Sequence, residues 1–425
     1  MNDVRPPHKI SNQWLSSFIK LISQHKIKSL PLLSLPSIFL RASEMDDSVW
    51  DYLSSDLTES ILSHLPILSI VRAAAVCKIW RSIVASSAFA ARVSAAKQPW
   101  FFLCGHHNVF LKNNRAFAFD PEANRWIVLS DSSAALFSED LFAGSNGFLF
   151  AASASAFSFR PILRGAWRHA RGLRFSRCSP LVGAFNDDGG TSGIPRFIVV
   201  GGVKFVGSLV DIEDRLAVEI YNPCLDSWEL CPPLPPEFNT RNSSQSLCSA
   251  LFNRKFFVLG INSSFISSFN LKTRQWSGVQ TLRPPGAQSG FLISSNDRLI
   301  LAGLCNSGAA LSFNLWKIDE ETMEFSEMAI MPPELLRLLI HGDEDDSRAA
   351  AGFSLKCVGL GSLIYVFNEE HHRNYPACVC EIKKLESGEC YGDWRRLPSL
   401  PVRDGNKFHR VISFCSSVSL HNVLD

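Results

Sequence analysis

The sequence lacks long apolar runs, paired cysteines and any excess of charge. The longest apolar candidate, residues 30–40, is short and is interrupted by Pro31 and Pro36, so we expect no transmembrane helix. The twelve cysteines occur singly, without a Cys-x-x-Cys pair, which argues against a zinc framework and favours reduced thiols in an intracellular protein. Charged residues make up 19% of the chain, the net charge is +2 and no basic stripe is present, so we expect no nucleic-acid partner.

Catalytic motifs are also missing. No nucleophile elbow occurs, and the segment from Asp188, Asp-Gly-Gly-Thr-Ser-Gly, lacks the Gly-Lys-Ser/Thr ending of a phosphate-binding loop. One cluster contains metal-ligating residue types: His371, His372, Cys378 and Cys380. A loop leading into a strand explains this cluster better than a metal site does. The sequence therefore predicts no catalytic residue and no metal.

The N-terminal residues 1–46 are predicted to form a flexible extension. They are basic, rich in serine and poor in acidic residues, which is also typical of an organelle transit peptide. A third interpretation is that translation starts at Met45, directly before the next segment.

Residues 53–89 are patterned as a small helical module. Leu57, Ile61, Leu62 and Leu65 form one stripe of a helix that Ser55 or Asp56 can cap and that Pro66 ends. Two further runs, 67–75 and 76–85, bring the prediction to three short helices. So few residues cannot bury this much apolar surface among themselves, so part of it must face another domain or another protein.

This order of residues resembles the F-box family. The residues that match its pattern are Leu53, Asp56, Leu57, Ile61, Leu62, Leu65, Pro66, Arg72, Val76, Cys77, Lys78, Trp80, Arg81 and Ile83. Ser54 replaces the proline expected after Leu53, and Ser60 replaces the acidic residue usual before Ile61. The alternative is an ordinary helical cap on a larger domain.

From Trp100 onward the sequence predicts many short strands with a repeated motif. An aromatic residue, a polar turn and a Trp recur at 119–126, 221–228 and 269–276, and looser copies place aromatics at 167, 325 and 394. The 31 phenylalanines and ten tryptophans suit a large β-rich core. A spacing near fifty residues with four strands per unit resembles the kelch type of β-propeller, here with six blades. A β-sandwich or another all-β fold is the alternative.

Closure of the predicted ring requires the C-terminus. The first repeat begins one strand short at Trp100, and the chain has a spare strand at 409–416 after the last repeat. Placing the spare strand in the first blade closes the ring and removes exposed sheet edges.

The two resemblances together imply a substrate receptor of an SCF-type ubiquitin ligase, with an F-box at 47–93 and a propeller at 98–418. In that family the F-box docks on a Skp-type adaptor and through it on a cullin, while the propeller holds an unknown protein target in the cytoplasm or nucleus. The candidate adaptor-binding set is Leu53, Leu57, Ile61, Leu62, Leu65, Pro66, Ile70, Val76 and Trp80. The alternatives are a kelch scaffold that does not drive degradation and an organelle-targeted propeller.

Target binding is predicted on one face of the propeller. In an antiparallel meander, loops between strands two and three leave by the same face as the links between blades. The long polar segments 204–215, 369–376 and 332–351 fall on that face, whereas the Gly-rich loop 186–194 falls on the other. Candidate target-binding residues are Lys204, Asp211, Arg215, Asp343, Glu344, His371, His372 and Arg373. Each loop can equally be a tolerated surface insertion.

No enzyme activity and no cofactor are expected. Copper-radical oxidases resemble kelch propellers but need tyrosine and histidine ligands at the ring centre, and this chain has only five tyrosines. Relatives that sense blue light add a flavin-binding domain, for which the short N-terminal extension leaves no room.

Overall fold

The structure is a computed structural model. It describes residues 54–106, 114–129, 141–152, 156–163, 166–175, 177, 180–186, 195–202, 204–206, 209–211, 216–239, 247–306, 311–341, 355–369, 377–386, 389–401, 408, 410–420 and 423. The chain forms two compact units: a helical unit that ends at Lys97 and also includes the chain from Ser419 onward, and a second unit of residues Gln98–Val418.

The helical unit contains four short helices, one more than the three predicted. They are α1 (Ser55–Ser63), α2 (Ile67–Ala73), α3 (Lys78–Ala85) and α4 (Ser87–Ala96). The additional helix, α4, buries Phe89, Ala90 and Val93 on one face. This spacing is helical, but it lies beyond the residues that carry the F-box resemblance.

Two side chains set where helices of this unit begin. The Ser54 hydroxyl accepts a hydrogen bond from the backbone N–H of Leu57 at 3.3 Å, so the cap lies one residue before the predicted Ser55. The Cys77 sulfur accepts one from the backbone N–H of Trp80 at 3.4 Å. These bonds satisfy N–H groups that have no partner within the helix.

The second unit is a six-bladed β-propeller of antiparallel sheets, as predicted. From the inside outward, blade 1 contains Arg410–Ser416, Trp100–His106, Arg115–Asp120 and Arg125–Leu129. Blade 2 contains Leu141–Ser145, Phe148–Ala152, Phe157–Pro161 and Arg168–Ala170. Blade 3 contains Leu181–Phe185, Arg196–Val200, Val218–Asn222 and Ser227–Cys231, with a side hairpin of Lys204–Val206 and Leu209–Asp211 and a 3₁₀ turn, Pro236–Phe238.

The last three blades follow the same order. Blade 4 contains Leu247–Phe252, Lys255–Gly260, Phe265–Asn270 and an outer strand in two pieces, Gln275–Trp276 and Gln280–Thr281. Blade 5 contains Ala287–Ser295, Arg298–Asn306, Leu311–Ile318 and Phe325–Ile330. Blade 6 contains Leu355–Leu360, Leu363–Asn368, Ala377–Lys384 and Cys390–Arg396.

The innermost strands contact one another in a closed circle, and the C-terminal strand completes it. Arg410–Ser416 pairs antiparallel with Trp100–His106, which confirms the predicted closure by the spare strand. Phe414 from this strand packs against Gly144 of blade 2, where an added Cβ would approach its ring to 2.5 Å. Only glycine leaves room for this aromatic ring at the junction of the first two blades.

The repeated motif is a four-residue turn between strands three and four. In blades 1, 3, 4 and 5 an Asx side chain at the end of strand three accepts hydrogen bonds from the turn's backbone N–H groups. These residues are Asp120, Asn222, Asn270 and Asp319. Four positions later the backbone has a positive φ, at Asn124 (48°), Asp226 (44°), Arg274 (59°) and Met323 (57°).

The aromatic residues of the motif pack across the strand pair and towards the preceding blade. Phe119, Tyr221 and Phe269 each lie opposite a Trp of strand four, with ring centroids 5.2, 4.9 and 5.2 Å from it. The indole N–H groups of those tryptophans donate to carbonyl oxygens just after strand four of the preceding blade. The bonds are Trp126 to Pro398 at 2.8 Å, Trp228 to Arg171 at 2.6 Å and Trp276 to Pro232 at 3.0 Å.

Helix α5 (Pro333–His341) lies in the link between blades 5 and 6 and was not predicted. Leu336, Leu339 and Ile340 pack into the core shared by these blades. The Asn368 side-chain amide at the end of a blade 6 strand donates to the Leu339 carbonyl at 2.9 Å. The helix therefore fixes the start of the link that leads to the acidic run 343–346, which lies outside the described residues.

A fully buried ion pair joins the link after blade 2 to blade 3. The Arg177 guanidinium donates to the Glu219 carboxylate at 2.8 Å and to the Ala217 carbonyl at 2.7 Å. Both side chains are 0% exposed. Glu219 also accepts from the backbone N–H of Arg174 at 3.0 Å, so its carboxylate holds two parts of the link.

Candidate functional site

The helical unit separates the predicted adaptor-binding residues into a buried set and a surface set. Buried members are Leu62, Leu65, Pro66, Ile70 and Trp80. Leu57 is 52% exposed, whereas Ile61 and Val76 are half-buried. Leu53 lies outside the described residues. The buried residues hold the helices together, so the contact surface of this unit must come from the others.

The sequence analysis did not single out Ile79, the large apolar side chain with the greatest exposure among the described residues of this unit. Ile79 on α3 is 65% exposed, and it occupies the variable position of the Val-Cys-Lys-x-Trp-Arg pattern. Trp80 and Val84 lie one turn apart on the buried side of that helix, whereas Ile79 and Ile83 lie on the neighbouring side, about 100° around the helix axis. An isoleucine at the variable position directly before the tryptophan was the signal in the sequence, but its exposure follows only from the packing of Trp80.

Contacts between helices stabilise this surface. The Arg92 guanidinium on α4 forms an ion pair with the Glu59 carboxylate on α1 at 2.5 Å. The Ser94 hydroxyl on α4 donates to the Ala90 carbonyl at 2.6 Å and accepts from the backbone N–H of Leu420 at 3.0 Å. Leu420 is fully buried. The last residues of the chain thus form part of the helical unit.

Of the eight predicted target-binding residues, the structure describes the backbone of two, Lys204 and Asp211. Lys204 and Asp211 face each other in the register of the blade 3 hairpin. The backbone places them together, and their side chains lie outside the described residues. Arg215, Asp343, Glu344, His371, His372 and Arg373 also lie outside them. Their role stays a prediction.

The centre of the propeller holds a cavity whose described lining is uncharged. A cavity of about 600 Å³ is lined by the innermost strands of all six blades, and its described lining contains no Asp, Glu, Lys or Arg. Burial raises the pKa of the Cys248 thiol in this lining to about 12, so it is protonated at neutral pH. Such a thiol is a poor nucleophile because the thiolate is the reactive form.

No metal centre is found in the part of the chain that the structure describes: no three His, Cys, Asp or Glu side chains there are grouped to hold an ion. Cys378 and Cys380 point into the apolar core of blades 5 and 6. Burial raises the pKa of the Cys378 thiol to about 12. Among the described helices, none is long and apolar enough to cross a membrane.

Comparison with known proteins agrees with this architecture. Residues 50–91 match the F-box domain. An F-box/kelch-repeat protein of Arabidopsis thaliana is 28% identical over 388 residues, which covers 87% of this chain and 91% of that protein. F-box only protein 6 of Arabidopsis thaliana is 24% identical over 308 residues, covering 68% of this chain and 60% of that protein. The chain therefore has an F-box domain at residues 50–91 and a six-bladed propeller as its second unit, and it resembles plant F-box/kelch-repeat proteins along most of its length.

Proposed function

We propose that this protein is the substrate-recognition subunit of an SCF-type ubiquitin ligase. Its F-box docks on a Skp-type adaptor and through it on a cullin, and its propeller binds the protein to be ubiquitinated. The observation that carries the proposal is the F-box match at residues 50–91 in front of a six-bladed propeller.

The surface of the helical unit supports an adaptor contact. Leu57 and Ile79 expose large apolar side chains on a unit in which Leu62, Leu65 and Trp80 are buried. Exposed apolar side chains mark protein contacts when they form one contiguous patch, and we propose that these two belong to one. We propose Leu57, Ile61, Val76 and Ile79 as the contact residues. The buried residues of the predicted set hold in place the helices that carry them.

The mechanism is proximity, without chemistry by this chain. A target held on the propeller is brought close to the conjugating enzyme that the cullin recruits, which raises the effective concentration of target lysines. The protein would act in the cytoplasm, the nucleus or both, where the ligase works. It needs no cofactor for this role.

The experiment is a pull-down of the full chain that probes for the Skp-type adaptor and the cullin. The test variant is Leu57→Asp with Ile79→Asp, because exposed positions accept a charge without unfolding the unit. Substitution of Leu65 or Pro66, which are buried, would remove binding merely by unfolding. Leu225→Asp is the matched control, since Leu225 is 73% exposed on the propeller.

We expect the wild type and the control to retain both partners and the double variant to lose both. Absence of the adaptor from the wild-type pull-down would overturn the proposal and would favour a scaffold outside the ubiquitin system. Adaptor binding without any change of target level on removal of the protein would favour the non-degradative scaffold.

A further inference from the structure

We propose that a pocket between blades 4 and 5 binds a tryptophan side chain of a partner protein. The bound indole ring takes the place that a tryptophan of this chain occupies at three other junctions between blades. That the partner is a ubiquitination target rests on the proposed function; the binding of the side chain does not.

The outer strands of three blades show what fills such a junction. Trp126, Trp228 and Trp276 are half-buried, and each packs on an aromatic residue of its own blade. Each indole N–H also donates to a carbonyl oxygen just after the outer strand of the preceding blade. An indole ring with one hydrogen bond therefore occupies the outer part of these junctions.

Blade 5 has a phenylalanine at the corresponding position. Phe325 pairs in register with Ile318, as Trp126 pairs with Phe119. A phenyl ring has no N–H to donate, and the Phe325 side chain is 39% exposed. Trp316 on strand three is buried in the core shared by blades 4 and 5, so it fills the inner part of their junction. Blade 5 thus supplies no indole to the outer part from residues 311–341, all of which are described.

A pocket of about 320 Å³ lies at this outer part of the junction. Its walls are strands three and four of blade 4 and the turn between strands three and four of blade 5. Ile266 and Met323 give it apolar walls continuous with the core that contains Trp316, while Ser268 and Gln280 add polar groups. We refer to it as the indole pocket.

The outer strand of blade 4 is interrupted where it forms the wall of the indole pocket. Its two pieces both pair with strand three, and residues 277–279 between them leave the ladder. There the Ser267 hydroxyl donates to the Ser277 carbonyl at 2.9 Å, and the Ser277 hydroxyl to the Gly278 carbonyl at 3.3 Å. A carbonyl oxygen has two lone pairs, so each can also accept from an indole N–H.

Gly278 leaves this wall open. A Cβ added at Gly278 would meet no other atom within 4 Å. A larger side chain can therefore be placed there to narrow the indole pocket without a clash.

The size and the chemistry of the indole pocket agree with the internal examples. Its volume is at the lower end of the range for ligand pockets, so it suits one large side chain better than a drug-sized molecule. Apolar walls with carbonyl acceptors at the edge match an indole, which is a broad apolar ring with a single donor. An aliphatic side chain would leave the acceptors unused.

Ligand-observed NMR on the purified full chain tests the proposal, because one side chain alone binds too weakly for most other methods. The first probe is N-acetyl-tryptophanamide. Its 1-methyl derivative lacks the indole N–H, N-acetyl-leucinamide lacks the ring, and 3-methylindole lacks the peptide groups. These four probes separate the contributions of the hydrogen bond, the ring and the backbone.

Two variants close the indole pocket in different ways. Phe325→Trp returns tryptophan to the position it has in blades 1, 3 and 4, and Gly278→Leu adds a side chain to the open wall. Leu230→Trp is the matched control, because it adds a tryptophan at a 49% exposed leucine on the outer strand of blade 3.

We expect the tryptophan probe to bind the wild type and Leu230→Trp. The 1-methyl derivative should bind about fivefold more weakly, as the loss of one hydrogen bond predicts, and the leucine probe should not bind. Phe325→Trp and Gly278→Leu should both abolish binding of the tryptophan probe, and Phe325→Trp should also raise the Tm because its ring fills the space.

Three results would overturn the proposal: no binding of the tryptophan probe to the wild type, undiminished binding to both pocket variants, or tighter binding of 3-methylindole, which would assign the pocket to free indole compounds. Adaptor binding by the same preparations is measured in parallel. Loss of adaptor binding alone would contradict the proposed function and leave the indole pocket unaffected.

Discussion

The indole N–H of Trp228 in blade 3 donates to the carbonyl oxygen of Arg171, 2.6 Å away, directly after the outer strand of blade 2. Trp126 and Trp276 make the same connection to Pro398 and Pro232. This contact explains why a Trp belongs at the start of the outer strand: it packs on its own blade and forms a hydrogen bond with the preceding one. The prolines after two of the outer strands supply acceptors at these positions.

Replacing Trp276 by Phe should lower the free energy of unfolding by about 1 kcal/mol, because it keeps an aromatic ring and removes one hydrogen bond. Trp394→Phe is the matched control, since the Trp394 Nε1 is buried without a hydrogen-bond partner among the described residues. That variant should be neutral or slightly more stable. Urea titration measures the free energy of unfolding of both variants. An equal loss of unfolding free energy in the two would show that the size of the ring, rather than the hydrogen bond, accounts for the effect.

The buried pair predicts a strongly non-additive pair of substitutions. Arg177→Met leaves the Glu219 carboxylate buried without its charge partner and should cost about 3–5 kcal/mol of unfolding free energy. Combining Arg177→Met with Glu219→Leu removes the buried carboxylate that would otherwise lack a charge partner. The double variant should therefore be more stable than Arg177→Met alone. A double variant that unfolds as easily as Arg177→Met would contradict this reading of the pair.

Two truncations should separate the roles of the C-terminal residues. Deletion of 405–425 removes the closing strand of blade 1 and exposes the edge of Trp100–His106, so the propeller should lose cooperative unfolding. Deletion of 419–425 keeps that strand and removes Leu420, so it should destabilise the helical unit alone. Calorimetry and limited proteolysis distinguish the two. A soluble, cooperatively folded product of the longer deletion would contradict the closure.

Acid should weaken the closing blade through His106, which pairs in register with Arg410. Burial, and then the charge of Arg410, lowers the pKa of His106 from 6.5 to about 4. The unfolded chain therefore binds a proton at this position that the folded chain does not, and stability falls as the pH drops from about 6.5 towards 4. The loss at pH 4 is of the order of 3 kcal/mol.

Urea titrations across this interval measure that loss. His106→Asn should flatten the dependence on pH, even though it lowers stability at neutral pH by disturbing a buried site. An unchanged slope in the variant would assign the acid sensitivity to carboxylates elsewhere.

The repeats were predictable because their signals are local. The motif that begins at Phe119 and ends at Trp126 is eight residues long and forms one local turn, and the spacing of its copies predicted the number of blades. The spare strand at the C-terminus was predictable because a ring with an incomplete first blade needs a partner for Trp100. Blade 6 shows the limit: Trp394 lies within its outer strand rather than at the start.

The features that the sequence did not predict depend on tertiary contacts or on residues outside the F-box and propeller-repeat patterns. Helix α5 has ordinary helical spacing at Leu336, Leu339 and Ile340, but it stood inside a segment interpreted as a loop. Ile79 is exposed because Trp80 occupies the buried face of α3, a relation that needs the packed unit. The contact between Phe185 and Arg274 could not be predicted, since the two residues are far apart in sequence and meet only when two blades pack together.

Closure through Arg410–Ser416 also sets the order of events during synthesis. The partner strand Trp100–His106 leaves the ribosome some three hundred residues before the strand that pairs with it. Until translation ends, the first blade presents an unpaired strand edge. The nascent chain depends on chaperones, or on rapid synthesis and folding, to keep this edge from aggregating. A premature stop codon anywhere before Arg410 therefore yields an open ring, however much of the propeller has been made.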